Sequence, residues 1–530
     1  MRAYRVWKTV YIAFFHKGSP WLLGWVALFM GCHPRRDLPA NVLRIGLMNS
    51  YSSLDPIYAR DQLSVWLVQQ IFSGLVGYDS LLRPVPALAE RWEISEGGKK
   101  YRFHLRKGVQ YHYQPNRFLR AADVLYSWHR LAHPKWSSPG SYLFRGIIAG
   151  WEAYQRGDSP SIQGLKAIGD SIVEITLTAP YGPFLHLLTL PYAMVVLPEL
   201  AESLGRDFGK HPIGCGPFAL EYHETGRLLV LKRWVSARPP YVQKLVFRWY
   251  PNRLWAWEAL QRGEIDAFEG TDRALDHLLS HRQVNKTKAY RIETPQLGTE
   301  YIGMDVQRHP PFREQKFRKA LRYLIWQMPL TGVVLRGHAT PARTFIPPLL
   351  LSHLPDVDRT PPDTQTLAQL QTLSLRLYAP PTFRELCEYI QSQLGQQGIQ
   401  LQIEYLLGPS LREYISKGQI ALWKASWLAD FPDGENFLIL FESHQHVPTG
   451  PNTTRYANKK VDSLISHSRH IPQEELRREL YTIAESLISA EAPVIPLYHA
   501  HGIWTLHPRV KGFPRSALPV WLPLQEVQIQ

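Results

Sequence analysis

The sequence predicts an α/β protein built from two or three lobes, and three observations lead there. The chain has 530 residues, more than the roughly 250–300 at which one hydrophobic core stops growing. Several segments alternate apolar and polar residues with period two, the mark of half-buried strands. Apolar stripes of helical period lie between them, and helices interleaved with strands argue an α/β architecture.

Taken in order, Val42-Leu43-Arg44-Ile45-Gly46-Leu47 begins the folded region as a strand. Alternation recurs at Tyr101, Phe103 and Leu105, and at Val173, Ile175 and Leu177. Phe383, Leu386, Cys387, Ile390 and Leu394 form one helical stripe, stopped by Gly395 and Gly398. Ile399, Leu401, Ile403 and Tyr405 then alternate as a strand. Gln473 to Glu491 reads as another helix, with Leu476, Leu480, Ile483 and Leu487 on one face and Pro493 beyond its end. The proline-rich patches Pro341 to Pro348 and Pro355 to Pro362 read as connecting loops. No internal repeat or low-complexity segment interrupts the series.

Composition narrows the class. Hydrophobic residues at 45% and charged residues at 20% are ordinary for a folded soluble protein. The 42 prolines and 12% aromatics suit a loop-rich binder better than a helical bundle. The formal charge is +15, yet Lys and Arg are scattered, with pairs such as Arg35-Arg36 and Lys459-Lys460 as the densest groups. No run of five and no nucleic-acid motif occurs, so no nucleic-acid partner is expected. The charge reads either as a well-solvated basic surface or as a preference for acidic partners or an anionic membrane face.

Residues 1–32 have the form of an export signal. Arg2, Arg5, Lys8 and Lys17 precede the apolar stretch Trp21 to Met30, and Gly31-Cys32 follows. The stretch is too short to span a bilayer permanently. A Cys after a small residue resembles a bacterial lipobox, in which Cys32 is acylated and becomes the new N-terminus. Phe29 stands where such boxes carry Leu, which leaves a soluble secreted form or a retained anchor as alternatives. A polar tether, 33–41, leads into the fold. Cys215 and Cys387 remain, and the apolar helix face around Cys387 favours buried free thiols over a disulfide.

Catalytic constellations are missing. The sequence has no H-E-x-x-H, no G-x-S-x-G, no phosphate loop and no paired C-x-x-C. Gly214-Cys215-Gly216-Pro217 is a poor phosphate cradle because proline has no N–H to offer, and it reads as a tight turn. His499 and His501 read as a strand surface rather than a metal site. Binding without chemistry, without a cofactor and without a metal is therefore expected. An envelope hydrolase would need a nucleophile or metal set that is not found, and an adhesin using the basic face would lose binding in moderate salt.

The ordered motifs carry more than any single one. They run from Leu54-Asp55-Pro56 through Phe72-Ser73-Gly74-Leu75-Val76, Pro86-Ala87-Leu88-Ala89-Glu90-Arg91-Trp92 and Tyr101 to Val109. Ala121-Ala122-Asp123-Val124-Leu125-Tyr126-Ser127-Trp128, Pro212 to Phe218 and Gly263-Glu264-Ile265-Asp266 follow. Phe317-Arg318-Lys319-Ala320-Leu321, Trp427-Leu428-Ala429-Asp430-Phe431 and Ala492 to Tyr498 close the series. Over about 450 residues the chain resembles the dipeptide/oligopeptide-binding family of bacterial importer-linked solute-binding proteins. Cys215 departs from it, standing where Thr or Asn is commoner.

The resemblance implies a two-lobed clamp with an extra inserted domain and mixed sheets flanked by helices. Its expected parts are 42–80, 200–295 and 499–530 for the first lobe, 81–199 for the inserted domain and 296–498 for the second lobe. Hinge strands are expected near Thr294 to Asp305 and Pro493 to Tyr498. The function implied is capture of oligopeptides between closing lobes, by a monomer held at the membrane through Cys32, and delivery to an ABC permease. Cell-wall (murein) peptide, nickel chelate and haem are the alternative ligands, and the positive charge makes an acidic cell-wall peptide the first of these.

The same resemblance nominates site residues. Asp430 falls at the family's ammonium-binding Asp; capping the turn before Pro432-Asp433-Gly434 is the competing role. Trp427 flanks an apolar side-chain pocket or is a core residue. Lys424 and Arg384 fall where a peptide carboxylate can be read, with a solvated surface charge as the alternative. Tyr142, Arg60 and Gln62 lie where family members contact ligand.

Overall fold

Strand Val494–Leu506 organises the protein, whose computed structural model describes residues 41–234, 241–281, 284–326 and 328–530. Its first half pairs antiparallel with Gly298–Met304 and Ala339–Pro341. Its second half pairs antiparallel with Tyr290–Pro295 and Ala267–Glu269. One strand thus belongs to both halves of a 12-stranded sheet. Eleven of its 13 residues are buried, which explains a nearly continuous apolar run instead of alternation.

Outward from this strand on one side lie Gly298–Met304, Leu422–Leu428, Ser374–Ala379 and the edge strand Gln400–Tyr405. On the other side lie Ala267–Glu269, Val42–Leu47, Lys244–Trp249, Leu228–Arg233 and Phe218–Glu224. The chain changes from one half to the other between Pro295 and Gly298, and again between Tyr498 and His501. The Phe383 stripe becomes helix Arg384–Gln396, which buries Leu386, Cys387, Ile390 and Leu394 before the edge strand. Cys215 and Cys387 are both free and buried.

A separate antiparallel sheet orders Ala89–Ser95, Lys100–Leu105, Ile172–Thr176 and Leu165–Ile168. The two alternating segments read from the sequence pair with each other here, Tyr101 opposite Ile175 and Phe103 opposite Val173. Their inward side chains join Trp128, Phe144 and Trp151 in a core of their own.

Most of the family motifs are scaffold. Asp55 takes both guanidinium nitrogens of Arg130, at 2.8 and 2.6 Å, with both residues buried. Asp266 is fully buried between Arg44 and Arg509, which ties the first strand to the C-terminal segment. Arg318 donates to the carbonyl of Glu491, satisfying an orphan acceptor at the end of helix Glu474–Glu491. Gly214 and Gly216 lie so close to Ile71 that an added Cβ would stand 2.3 and 2.5 Å from its carbonyl atoms. The Gly214-Cys215-Gly216 run is thus a packed turn.

Helix Glu474–Glu491 turns part of its apolar stripe outward, while Leu487 of the same stripe packs against the core. Leu476 and Ile483 are 48% and 51% exposed, while Arg477, Tyr481 and Glu485 face inward. Each inward polar group has a partner: Arg477 and Tyr481 bond Asp433, and Glu485 accepts the N–H groups of Phe345 and Ile346. Hydrophobic period locates such a helix, but these partners decide which face is buried.

Candidate functional site

Strand Leu422–Leu428 leads to the site. It pairs with Gly298–Met304 along its whole length, but with Ser374–Ala379 through Leu422 and Trp423 alone. From Lys424 to Leu428, among the described residues, no strand pairs with its second edge. Such an edge presents main-chain donors and acceptors to an incoming extended chain.

Asp430 stands just past the end of this edge. The residue is exposed to solvent at the cleft, with enough protein close by to desolvate its carboxylate in part. Desolvation raises its pKa above the ordinary carboxylate value, and the Asn436 side chain opposes the shift. The Asp430 N–H donates to Asn436 Oδ1 at 3.2 Å. Trp427 Nε1 donates to the Asn436 carbonyl at 2.8 Å, which fixes the indole beside the carboxylate.

Two tyrosines face Asp430 from the other wall. Tyr142, in the turn Ser141–Phe144, is 57% exposed. Burial by the surrounding protein and the Asp430 charge both raise its phenol pKa. Tyr192 is raised by burial, then by Asp430 and Tyr142, with Arg60 pulling the other way. Gly140 makes room for that ring: a Cβ there would lie 2.2 Å from Tyr192 Cγ. Tyr142, Trp427 and Asp430 therefore line one cleft, and Arg60 is close enough to act on the Tyr192 phenol beside it.

Three nominated residues are placed elsewhere or otherwise engaged. Lys424 is buried, bonded to Glu300 and to its neighbour's carbonyl, and lies 3.8 Å from the Phe383 ring centroid. Arg384 is exposed, paired with Glu388 at 3.2 Å and stacked on Tyr405. Gln62 begins helix Gln62–Ile71 and donates to the Pro519 carbonyl at 2.9 Å. Cys32 lies outside the described residues. Tyr192 and Asn436 carry no motif signal in the sequence, because their roles arise from contacts across the fold.

A cavity of about 610 Å³ opens beside Asp430 and Trp427. This is within the range of small-ligand pockets, roughly 300–1,000 Å³. Among its walls are Tyr142, Ile147, Tyr181, Phe431 and Ile439. Arg469 lines it too, but makes four bonds of 2.7–2.9 Å to Glu435 and Glu442. Tyr181 donates to the remaining Glu435 oxygen at 3.0 Å. Among the described residues no group of three or more His, Cys, Asp or Glu is placed to hold a metal ion.

Comparison with known proteins agrees with this architecture. The chain is 27% identical over 485 residues to the dipeptide-binding protein of Escherichia coli strain K12, covering 86% of this chain and 87% of the relative. It is 25% identical over 477 residues to heme-binding protein A of Haemophilus influenzae, covering 84% and 85%. The solved murein tripeptide binding protein MppA of Escherichia coli superposes with a TM-score of 0.75 at 23% identity, covering 92% of this chain and 98% of the other. HbpA2 from Haemophilus parasuis gives 0.78 at 23% identity, covering 92% and 100%. The family model described as bacterial extracellular solute-binding proteins, family 5, middle, matches residues 83–448. The chain belongs to the family 5 bacterial extracellular solute-binding proteins.

Proposed function

We propose that this protein is the substrate-binding component of an ABC importer and captures short peptides by their N-terminus. The observation that carries the reading is the recessed carboxylate of Asp430 at the end of a one-sided strand edge. An extended peptide can pair with the edge while its ammonium meets Asp430. A charged hydrogen bond of this kind contributes about 1.5–3 kcal/mol net. Tyr142, Trp427 and Arg60 would line the bound chain. The dipeptide-binding relative and the solved DppA of Helicobacter pylori, recorded with a bound peptide, support the ligand class.

In this reading the halves joined by Val494–Leu506 are the lobes, 42–80 with 200–295 and 499–530 against 296–498. Residues 81–199 form an inserted domain that supplies Tyr142 and Tyr192. Closure about the two chain crossings would enclose the ligand. The monomer would be tethered by acylated Cys32 and residues 33–41, and would hand its ligand to the permease.

Mass spectrometry of ligand co-purified with the protein tests the class directly; peptides are expected. Calorimetry tests the anchor. Free peptides should bind, while N-acetylated ones and the Asp430→Ala variant should lose about 3–5 kcal/mol. Equal affinity for free and acetylated peptides would sink the ammonium anchor.

A further inference from the structure

We propose that Tyr181 and Gly182 of the inserted domain form a latch that holds the clamp closed, by capping a helix of the opposite lobe. This rests on the peptide reading and the lobe division above and adds the contact that retains the ligand. The Gly182 N–H donates to the Arg469 carbonyl at 2.7 Å. Arg469 is the last residue of helix Lys459–Arg469, so its carbonyl has no donor within the helix. Beside it the Tyr181 hydroxyl donates to Glu435 at 3.0 Å. The His186 ring stacks on Phe431 with centroids 6.3 Å apart. One short segment of the inserted domain thus meets the second lobe at three points.

Gly182 is what lets the two segments touch. A Cβ there would stand 2.3 Å from the Ile471 carbonyl oxygen, 2.9 Å from Arg477 Nη1 and 3.0 Å from Arg477 Cδ. All three atoms belong to the second lobe, and the φ of Gly182 is not positive. Alanine therefore suits the backbone of Gly182 within its own domain and obstructs only the contact. Parting the contact strands no charge. Arg469 keeps its four bonds to Glu435 and Glu442, and Arg477 keeps Asp433, all within the second lobe. The Gly182 N–H, the Tyr181 hydroxyl and the Arg469 carbonyl pass to water, so each of the two hydrogen bonds is worth about two- to tenfold in the closing equilibrium. A contact of that size holds a closed clamp and still releases it.

Stopped-flow binding of the tripeptides Ala-Ala-Ala and Phe-Ala-Phe, followed by tryptophan fluorescence, tests the latch together with small-angle scattering of the saturated protein. Tyr181→Phe should speed dissociation about two- to tenfold. Gly182→Ala should speed it at least about tenfold and leave the saturated protein more extended than the unaltered one. Association should stay within about twofold in both variants, because the open cleft is untouched, and a folding defect would not spare it. Unchanged dissociation and scattering in both variants overturns the latch and leaves the peptide reading standing. Slower association in both, with dissociation unchanged, also overturns it, because the segment then shapes the open cleft. Binding of neither tripeptide by the unaltered protein overturns the peptide reading and the latch with it.

Discussion

The amide side chain of Asn436 holds Asp430 from behind: its Oδ1 accepts the Asp430 N–H at 3.2 Å. The same residue's carbonyl takes Trp427 Nε1 at 2.8 Å. One residue thus positions both the proposed anchor and its neighbouring indole. Asn436→Ala removes the side-chain contact and keeps the carbonyl. Peptide affinity should fall by about 0.5–1.5 kcal/mol, the net worth of one hydrogen bond. Calorimetry against a free tripeptide measures it, and an unchanged affinity would remove Asn436 from the site.

Binding should weaken on mild acidification. The ammonium needs a charged carboxylate, and burial raises the pKa of Asp430 in the empty cleft. Protonation of Asp430 on falling pH competes with ligand, and begins at a higher pH than for an ordinary Asp near 3.9. Titrations from pH 7 down to pH 4 should show affinity declining over the range, and Asp430→Asn should flatten the profile.

The buried pair of Asp55 and Arg130 should be strongly coupled. Both side chains are 1% exposed and meet through two short bonds. Removing one partner strands a buried charge and should cost about 3–5 kcal/mol. Denaturant unfolding of Asp55→Ala, Arg130→Met and the double variant should therefore be non-additive, with the double variant costing less than the sum. Additive losses would show the pair to be energetically independent.

Glu485 should make stability fall as pH rises. It is fully buried on helix Glu474–Glu491, and burial pushes its pKa up to about 7, against the bonds from Phe345, Ile346 and Ser489. The folded state then binds a proton more tightly than the unfolded state, whose Glu titrates near 4.3. Its contribution is present below that value and is lost as pH rises through about 7. Comparing melting of the protein and Glu485→Gln from pH 4 to pH 8 isolates it, since the glutamine does not titrate.

Much of the fold was legible because local period and motif order are properties of the chain itself. Period two found Lys100–Leu105 and Ile172–Thr176, and period 3.6 with terminal glycines found helix Arg384–Gln396. The motifs named the family that the match over residues 83–448 establishes. Of the residues the sequence nominated, Asp430, Trp427 and Tyr142 line one cavity, and Arg60 acts on the neighbouring Tyr192.

What tertiary structure decided was the environment of each charge. Lys424 looked available to a carboxylate, but strand pairing sets it beside Glu300 and under Phe383, inside the protein. The leucine stripe of helix Glu474–Glu491 reads as a core face, but Leu476 and Ile483 are exposed, and Asp433 and two backbone N–H groups draw the adjoining face inward. Tyr192 and Asn436 join the site through contacts made by distant or turning segments. The sequence by itself determined which elements form and which family they build. Partnering across the fold determined which polar groups are consumed by structure and which carboxylate, Asp430, is left facing the cleft, because the cost of burying a charge depends on neighbours that no local pattern records.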